Sequence, residues 1–227
     1  MNDLHERLQR VRREIAKAER QFGREAGSVK LLAASKTRGA DAVLALARLG
    51  VTDFGENYVQ EAQGKLRQLP EQSLGWHFIG PAQSNKTGAI ATCFDWVHSL
   101  ARMRIATRLD AARPADLPPL NVCIQVNIDA EVSKSGVTLD ALEPLAEQIC
   151  SLPRLRLRGL MALPAPAADF AVQRRAFAQL RQAQERLSDR GFALDTLSMG
   201  TTNDMRAAIA EGATLVRIGT ALFGPRK

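Results

Sequence analysis

The sequence is poor in the residues that most often announce a chemistry: its 227 residues include three cysteines, three histidines, two tryptophans and one tyrosine. Cys93, Cys123 and Cys150 stand far apart with no CxxC pair, which excludes a zinc knuckle and a disulfide framework. Reduced core thiols are expected instead. No HxH or HExxH spacing joins the histidines, and no GxGxxG follows the first apolar run, where "SKTRGA" also lacks the spacing of a Walker loop. Nowhere is there a run of about 20 apolar residues such as a membrane span needs. The opening "MNDLHERLQRVRREIAKAERQFG" is charged from its start and lacks the apolar stretch of a secretory leader. A cytoplasmic protein without membrane association is expected.

The formal net charge of +7 permits an anionic partner. The arginines are scattered, however: "RLQRVRRE" and "FAQLRQAQERLSDR" mix both signs at helical spacing, as solvated helix faces do. With aromatic residues at 5%, few rings are available to stack on bases. Nucleic acid is therefore not an expected partner, whereas a small anionic molecule remains one.

What the sequence does have is periodicity. Leu4, Leu8, Val11, Ile15, Ala18 and Phe22 recur at spacings of three and four, the pattern of an amphipathic helix. After it, eight apolar runs of strand character alternate with helical stretches, the runs covering 29–35, 51–56, 76–80, 95–99, 120–128, 155–163, 194–200 and 214–224. Such alternation implies parallel strands joined by right-handed crossovers, and eight units close most simply into a (β/α)8 TIM barrel. An open doubly wound sheet is the alternative, weakened by the missing glycine fingerprint. No composition break divides the chain, so residues 1–227 are expected to form a single α/β barrel domain. The proline-rich stretches 112–120 and 163–169 read as loops, and no second β domain is expected beside the barrel.

Barrels of this kind carry function where strands end. Those positions hold Ser35-Lys36-Thr37, Glu56-Asn57, His77, His98-Ser99, Asn127, Met161, Ser198 to Thr202 and Arg217 to Thr220. Lys36 follows the apolar "LLAAS", which gives its amine a dry wall of the kind a Schiff-base lysine needs; the plainer reading is a lysine reaching out of the barrel mouth to water. In "LSMGTTNDMRAAIAEG", Thr201, Thr202 or Asn203 suits an N-cap, alone or together with a bound anion. Gly219 and Thr220 would add donors to the same anion. Arg217 alternates with Val216 and Ile218 and so turns to the other face, where a buried guanidinium needs acceptors that the neighbouring sequence does not supply. His77 and His98, with Glu56 or Asp95, are the competing metal constellation, but without a metal-binding spacing they are expected to be hydrogen-bonded structural groups.

The segments "LLAASKT", "FGENYVQE", "WHFIGPAQSNK", "VHSL", "QVNIDAEVSKSGV", "RGLMALP" and "LSMGTTNDMRAAIAEGATLVRIGTALFG" together span residues 31 to 224. In these the sequence resembles the pyridoxal phosphate homeostasis protein family, whose members bind pyridoxal 5′-phosphate on an alanine racemase-like barrel. The resemblance implies that Lys36 forms a Schiff base with the cofactor, that Ser198, Thr202, Gly219 and Thr220 surround its phosphate, and that Arg217 lies near the pyridine nitrogen and Asn57 near the ring. It also matches Lys134, at the barrel mouth, to a lysine suited to receiving or releasing cofactor. Two positions depart from the family pattern: Thr201-Thr202 replaces Met-Ser, keeping a hydroxyl at 202 and changing a packing group at 201, and Ala82 replaces leucine.

The same resemblance leaves two functions to weigh. A racemase needs a second acid-base group facing the lysine, and Tyr58, the sole tyrosine, opens a helix where packing is its expected role. A cation rather than a carboxylate beside the pyridine nitrogen also weakens the ring as an electron sink. A monomeric binder that buffers the cofactor or delivers it to apo-enzymes is thus expected ahead of an amino-acid racemase.

Overall fold

The computed structural model describes residues 2–69, 73–129, 131 and 135–225. Eight strands form one closed parallel barrel in chain order: β1 (Lys30–Ala34), β2 (Asp53–Glu56), β3 (Gly75–Phe78), β4 (Trp96–Leu100), β5 (Leu120–Gln125), β6 (Leu155–Met161), β7 (Thr196–Ser198) and β8 (Leu215–Ile218). Pairing of β1 with β8, Leu32 opposite Arg217, closes the ring. Helix α1 (Asn2–Gln21) precedes the barrel, and α2 (Ala40–Ala47), α3 (Val59–Gln68), α4 (Thr87–Cys93), α5 (Met103–Ala112), α6 (Leu142–Cys150), α7 (Phe170–Asp189) and α8 (Met205–Ala210) connect successive strands. A last turn, α9 (Thr220–Phe223), follows β8.

Most of the apolar runs form somewhat shorter strands than expected, and two of them shorten most. The run 194–200 is strand only over β7, because Gly200 at φ +95 turns the chain out of the sheet. A side chain there would also meet the Ala208 Cβ at 2.6 Å. In 214–224 the strand stops at Ile218, and Gly219 hands the chain to α9.

Strand alternation sorts the side chains into two layers. Ala33, Phe54, Phe78, Val97, Val122, Ile124, Leu160, Leu197, Val216 and Ile218 belong to the apolar core under the helices. From α1, Leu8, Val11, Ile15 and Ala18 join that core, while Leu4 and Phe22 pack at its edge. The inner layer is less apolar: alongside buried Leu32, Cys123, Met161 and Leu215 it holds His77, His98, Ser198 and Arg217. Of the cysteines, all three free, Cys123 is buried, whereas Cys93 is half-buried and Cys150 exposed, so only the first is a core thiol.

Gly159 on β6 lies opposite Thr196, and a Cβ there would stand 1.8 Å from the Thr196 carbonyl oxygen. Backbone cannot move aside as a side chain can. Gly159→Ala is therefore expected to cost about 3 kcal/mol or more, read as a lower urea midpoint; an unchanged midpoint would show that β6 and β7 are not packed as described.

Candidate functional site

The C-terminal ends of the strands surround a cavity of about 360 Å³ lined by Lys36, Asn57, Thr202, Arg217, Gly219 and Thr220, together with Ala34, Ile79, Leu163, Thr201 and Asn203. Two cations and no carboxylate stand in this wall. A second cavity, of about 610 Å³, shares Leu163, Thr201, Asn203 and Arg217 with it and extends under the proline-rich loop to Asp204.

Lys36 is positioned through its neighbours. Lys65, buried on α3, donates from Nζ to Glu56 Oε1 at 2.6 Å, to Glu61 Oε1 at 2.7 Å and to the Ser35 carbonyl at 2.8 Å. The Ser35 hydroxyl also donates to Glu56 Oε1, and the Thr37 amide donates to Glu61 Oε1 at 2.6 Å. Thr37 itself sits at φ +65, a region a β-branched residue rarely enters. One buried ammonium thus ties down the residues on both sides of Lys36. Burial raises the Glu56 carboxyl above its usual range, against the pull of Lys65 and Ser35.

On the opposite wall, neither hydroxyl nor amide of residues 201–203 caps α8. Asp204 reaches back instead, and its Oδ1 accepts from the Thr201 amide and the Thr201 hydroxyl at 2.9 Å. Thr201 is therefore a hydrogen-bonding partner rather than the packing group its position suggested. Asn57 is half-buried, and its buried Oδ1 has no hydrogen-bond partner among the described residues.

Arg217 turns inward, opposite in sense to Val216 and Ile218, and its acceptors come from strands distant in sequence. It donates to the Ala162 carbonyl at 2.8 Å and to Ser198 through both the carbonyl and Oγ, the latter at 2.7 Å. Burial lowers the guanidinium to about 10, against the attraction of Asp204. Ser198 is fully buried behind Arg217 and does not line the cavity.

His77 and His98 lie inside the barrel rather than at its rim. His98 Nδ1 is 2.7 Å from Ser198 Oγ, His98 Nε2 is 2.8 Å from His77 Nδ1, and His77 Nε2 is 3.0 Å from Asp53 Oδ1. All four ring nitrogens are engaged, and among the described residues no three His, Cys, Asp or Glu side chains gather as a metal would need. Of their supposed partners, Asp95 accepts from the Trp76 amide and Glu56 holds Lys65. Tyr58 is 59% exposed, outside the cavity and not packed as expected. Lys134 lies outside the described residues.

Sequence reasoning missed Lys65, Glu61 and the Asp53–His77–His98 line. The i, i+4 pair Glu61/Lys65 is visible in the sequence, but it reads as a solvated helix face until the fold buries it.

Fold and cavity together define a barrel of the alanine racemase N-terminal type, and the sequence model of that domain matches residues 7–227. The barrel superposes on the alanine racemase of Corynebacterium glutamicum with a TM-score of 0.73 at 17% identity, over 99% of this chain and 62% of that one. The fold alone is shared there. Much nearer is the pyridoxal phosphate homeostasis protein of Pseudomonas aeruginosa, 55% identical over 226 residues, with 100% of this chain and 97% of that protein covered. Its Escherichia coli counterpart is 51% identical, with 100% and 98% covered. PipY of Synechococcus elongatus, solved with PLP bound, matches with a TM-score of 0.84 at 33% identity, over 97% of this chain and 100% of that one. The chain belongs to the pyridoxal phosphate homeostasis protein family.

The two histidines make stability depend on pH. Burial holds His98 well below its ordinary 6.5, helped by His77 and Arg217, and burial also lowers His77 against the pull of Asp53. Below about 6.5 the unfolded chain takes up a proton at His98 that the folded chain refuses, so this stability is full above that pH and lost on acidification. Glu56 acts in the opposite sense. Urea unfolding is expected to show a loss on the order of 2 kcal/mol from pH 7 to 5, and a smaller one in His98→Leu. Equal slopes in the two proteins would mean that His98 is charged in the native core.

Proposed function

We propose that this chain binds pyridoxal 5′-phosphate at Lys36 and holds it for vitamin B6 homeostasis, as a cytoplasmic monomer that buffers the cofactor or passes it to apo-enzymes. The observation that carries this reading is a cavity walled by Lys36 and Arg217 without a carboxylate. Such a lining favours an anion, and the volume is at the small-molecule end of ligand sites. The family relationship supports the same ligand.

When bound, the cofactor supplies an aldehyde able to form a Schiff base with an amine, and an electron-withdrawing ring. The residues divide the remaining work. Lys36 presents its amine from a turn whose backbone is locked on both sides, so that no backbone ordering remains to be done when a ligand binds. Thr202 and Thr220 offer hydroxyls and Gly219 leaves room for close approach, the chemistry a phosphate needs. Asn57 Oδ1, buried and unpartnered, is an acceptor still open to a ligand donor. Ser198, set behind Arg217, serves that guanidinium instead of the phosphate.

Arg217 also bears on turnover. Were Arg217 to lie beside the ring nitrogen, its guanidinium would disfavour a proton there and so weaken the electron-withdrawing chemistry the ring supplies. Tyr58, exposed and away from the cavity, is not available as a second base. Binding without robust turnover follows. No helix among the described residues is long and apolar enough to cross a membrane, in keeping with a cytoplasmic carrier.

The test is absorbance between about 300 and 500 nm, where the conjugated imine absorbs, after adding pyridoxal 5′-phosphate to the wild type and to Lys36→Ala. A band in the wild type alone, which borohydride converts into a covalent Lys36 adduct, is expected. Absence of the band in the wild type overturns the cofactor reading, and steady racemisation of alanine or serine overturns the carrier reading.

A further inference from the structure

The five residues Asp53, His77, His98, Ser198 and Arg217 come from β2, β3, β4, β7 and β8 and form one unbroken line through the barrel interior. The line starts at the N-terminal end of the barrel, where Asp53, its side chain 27% exposed, borders a cavity of about 470 Å³ with Lys30 and Thr52. It ends at Arg217 in the wall of the Lys36 cavity. The outer-layer core beneath the helices makes no use of these groups.

With both imidazoles neutral, as their burial favours, the Asp53 end of the line fixes every proton along it. Arginine only donates and an ionised carboxylate only accepts. Arg217 therefore donates to Ser198 Oγ, and the Ser198 hydroxyl donates to His98 Nδ1. The His98 Nε2–H then donates to His77 Nδ1, and the His77 Nε2–H donates to Asp53 Oδ1. Both imidazoles are then Nε2-protonated, and a neutral pair running the other way would need a proton donated by the ionised Asp53 carboxylate. Hydrogen bonds aligned in one sense polarise one another, most strongly in a dry interior.

Neighbouring residues hold the line in place. The Trp96 ring stacks on His77 at 5.4 Å between centroids and 10° between planes. Gly75 leaves the space through which Asp53 reaches its partner, since a Cβ there would stand 2.9 Å from Asp53 Oδ1 and 3.5 Å from His77 Nε2. The other charges bearing on the line are Lys30 and Asp95 at its Asp53 end and Asp204 near Arg217, where burial keeps the Cys123 thiol neutral.

We infer that Asp53, His77, His98 and Ser198 are positioning residues that orient Arg217 toward the cofactor pocket through a one-directional hydrogen-bond chain anchored on the Asp53 carboxylate at the far end of the barrel. The chain itself rests only on the geometry above; its effect on cofactor rests on the binding proposed for Lys36.

The experiment has two arms on the full chain. Histidine-labelled ¹⁵N spectra of the protein without cofactor should show His77 and His98 neutral and Nε2-protonated at pH 7, and Asp53→Asn should move the signals of His98 as well as those of His77. Either ring charged, or protonated at Nδ1, overturns the chain. In the second arm, Asp53→Asn keeps the shape and an acceptor but removes the charge, so the dissociation constant for pyridoxal 5′-phosphate should rise on the order of tenfold and the pH midpoint of the Lys36 absorbance band should move. Asp53→Glu, with the adjoining cavity to accommodate it, should restore both. A wild type that shows the band and an Asp53→Asn protein with the same affinity and midpoint overturn the inference. A wild type without any band overturns the proposed function, a result distinct from the other.

Discussion

A buried ammonium governs the working end of this barrel. Taking Lys65 and Glu56 out of water costs several kcal/mol per ion, and the pair persists only because the ammonium finds three acceptors at once. Those acceptors are a strand-end carboxylate, a helix carboxylate and the carbonyl of Ser35, so meeting the needs of one cation fixes β2, α3 and the turn after β1 to each other. The turn needs such a clamp. Thr37 occupies a left-handed conformation that costs roughly 1–3 kcal/mol for a residue of its type, and Glu61 holds its amide there. The backbone on both sides of Lys36 is thereby fixed, which is what a reactive amine at a defined place requires.

Arg217 answers the same problem by a different route. Its acceptors are two carbonyls and a hydroxyl, none of them charged. The nearest carboxylate in line, that of Asp53, stands behind three neutral relays. This polar strip replaces the branched apolar side chains that usually fill a barrel interior. Its cost is carried by the layer between sheet and helices, where Phe54, Val97, Ile124 and Val216 are fully buried. Stability and function occupy the two faces of the same strands.

That division explains what could be read in the sequence. The outer layer repeats every second residue on a strand and every three or four on a helix, and so eight strands, their order and α1 are legible. Lys36, Asn57, Thr202, Arg217, Gly219 and Thr220 are legible as well, since each stands at a strand end that topology brings to one rim. Contacts made across the barrel leave no such trace. Ser198 and His98 are 100 residues apart, and no local pattern sets a serine that touches phosphate apart from one that supports an arginine. Lys65 fails for the converse reason: its helix partner Glu61 is local and visible, but burial depends on where α3 docks. Asp204 reaching back to Thr201 instead of being capped by it is likewise a choice among equivalent side chains that only the packed loop decides.

The barrel alone cannot say whether a cofactor is held or used, since the same fold at 17% identity serves an alanine racemase. What separates the two outcomes is the sign of the charge that meets the ring. Carbanion chemistry gains from a protonated pyridine, which a carboxylate beside it would sustain. In the proposed binding mode that position would fall to Arg217, a guanidinium that stays positive even though burial lowers it to about 10. Its orientation is set by Ser198, and its acceptors leave it no neutralising carboxylate in contact. On that reading a pocket with a cation at each side would retain an anionic aldehyde well and activate it poorly, and these are the properties a cofactor reservoir needs.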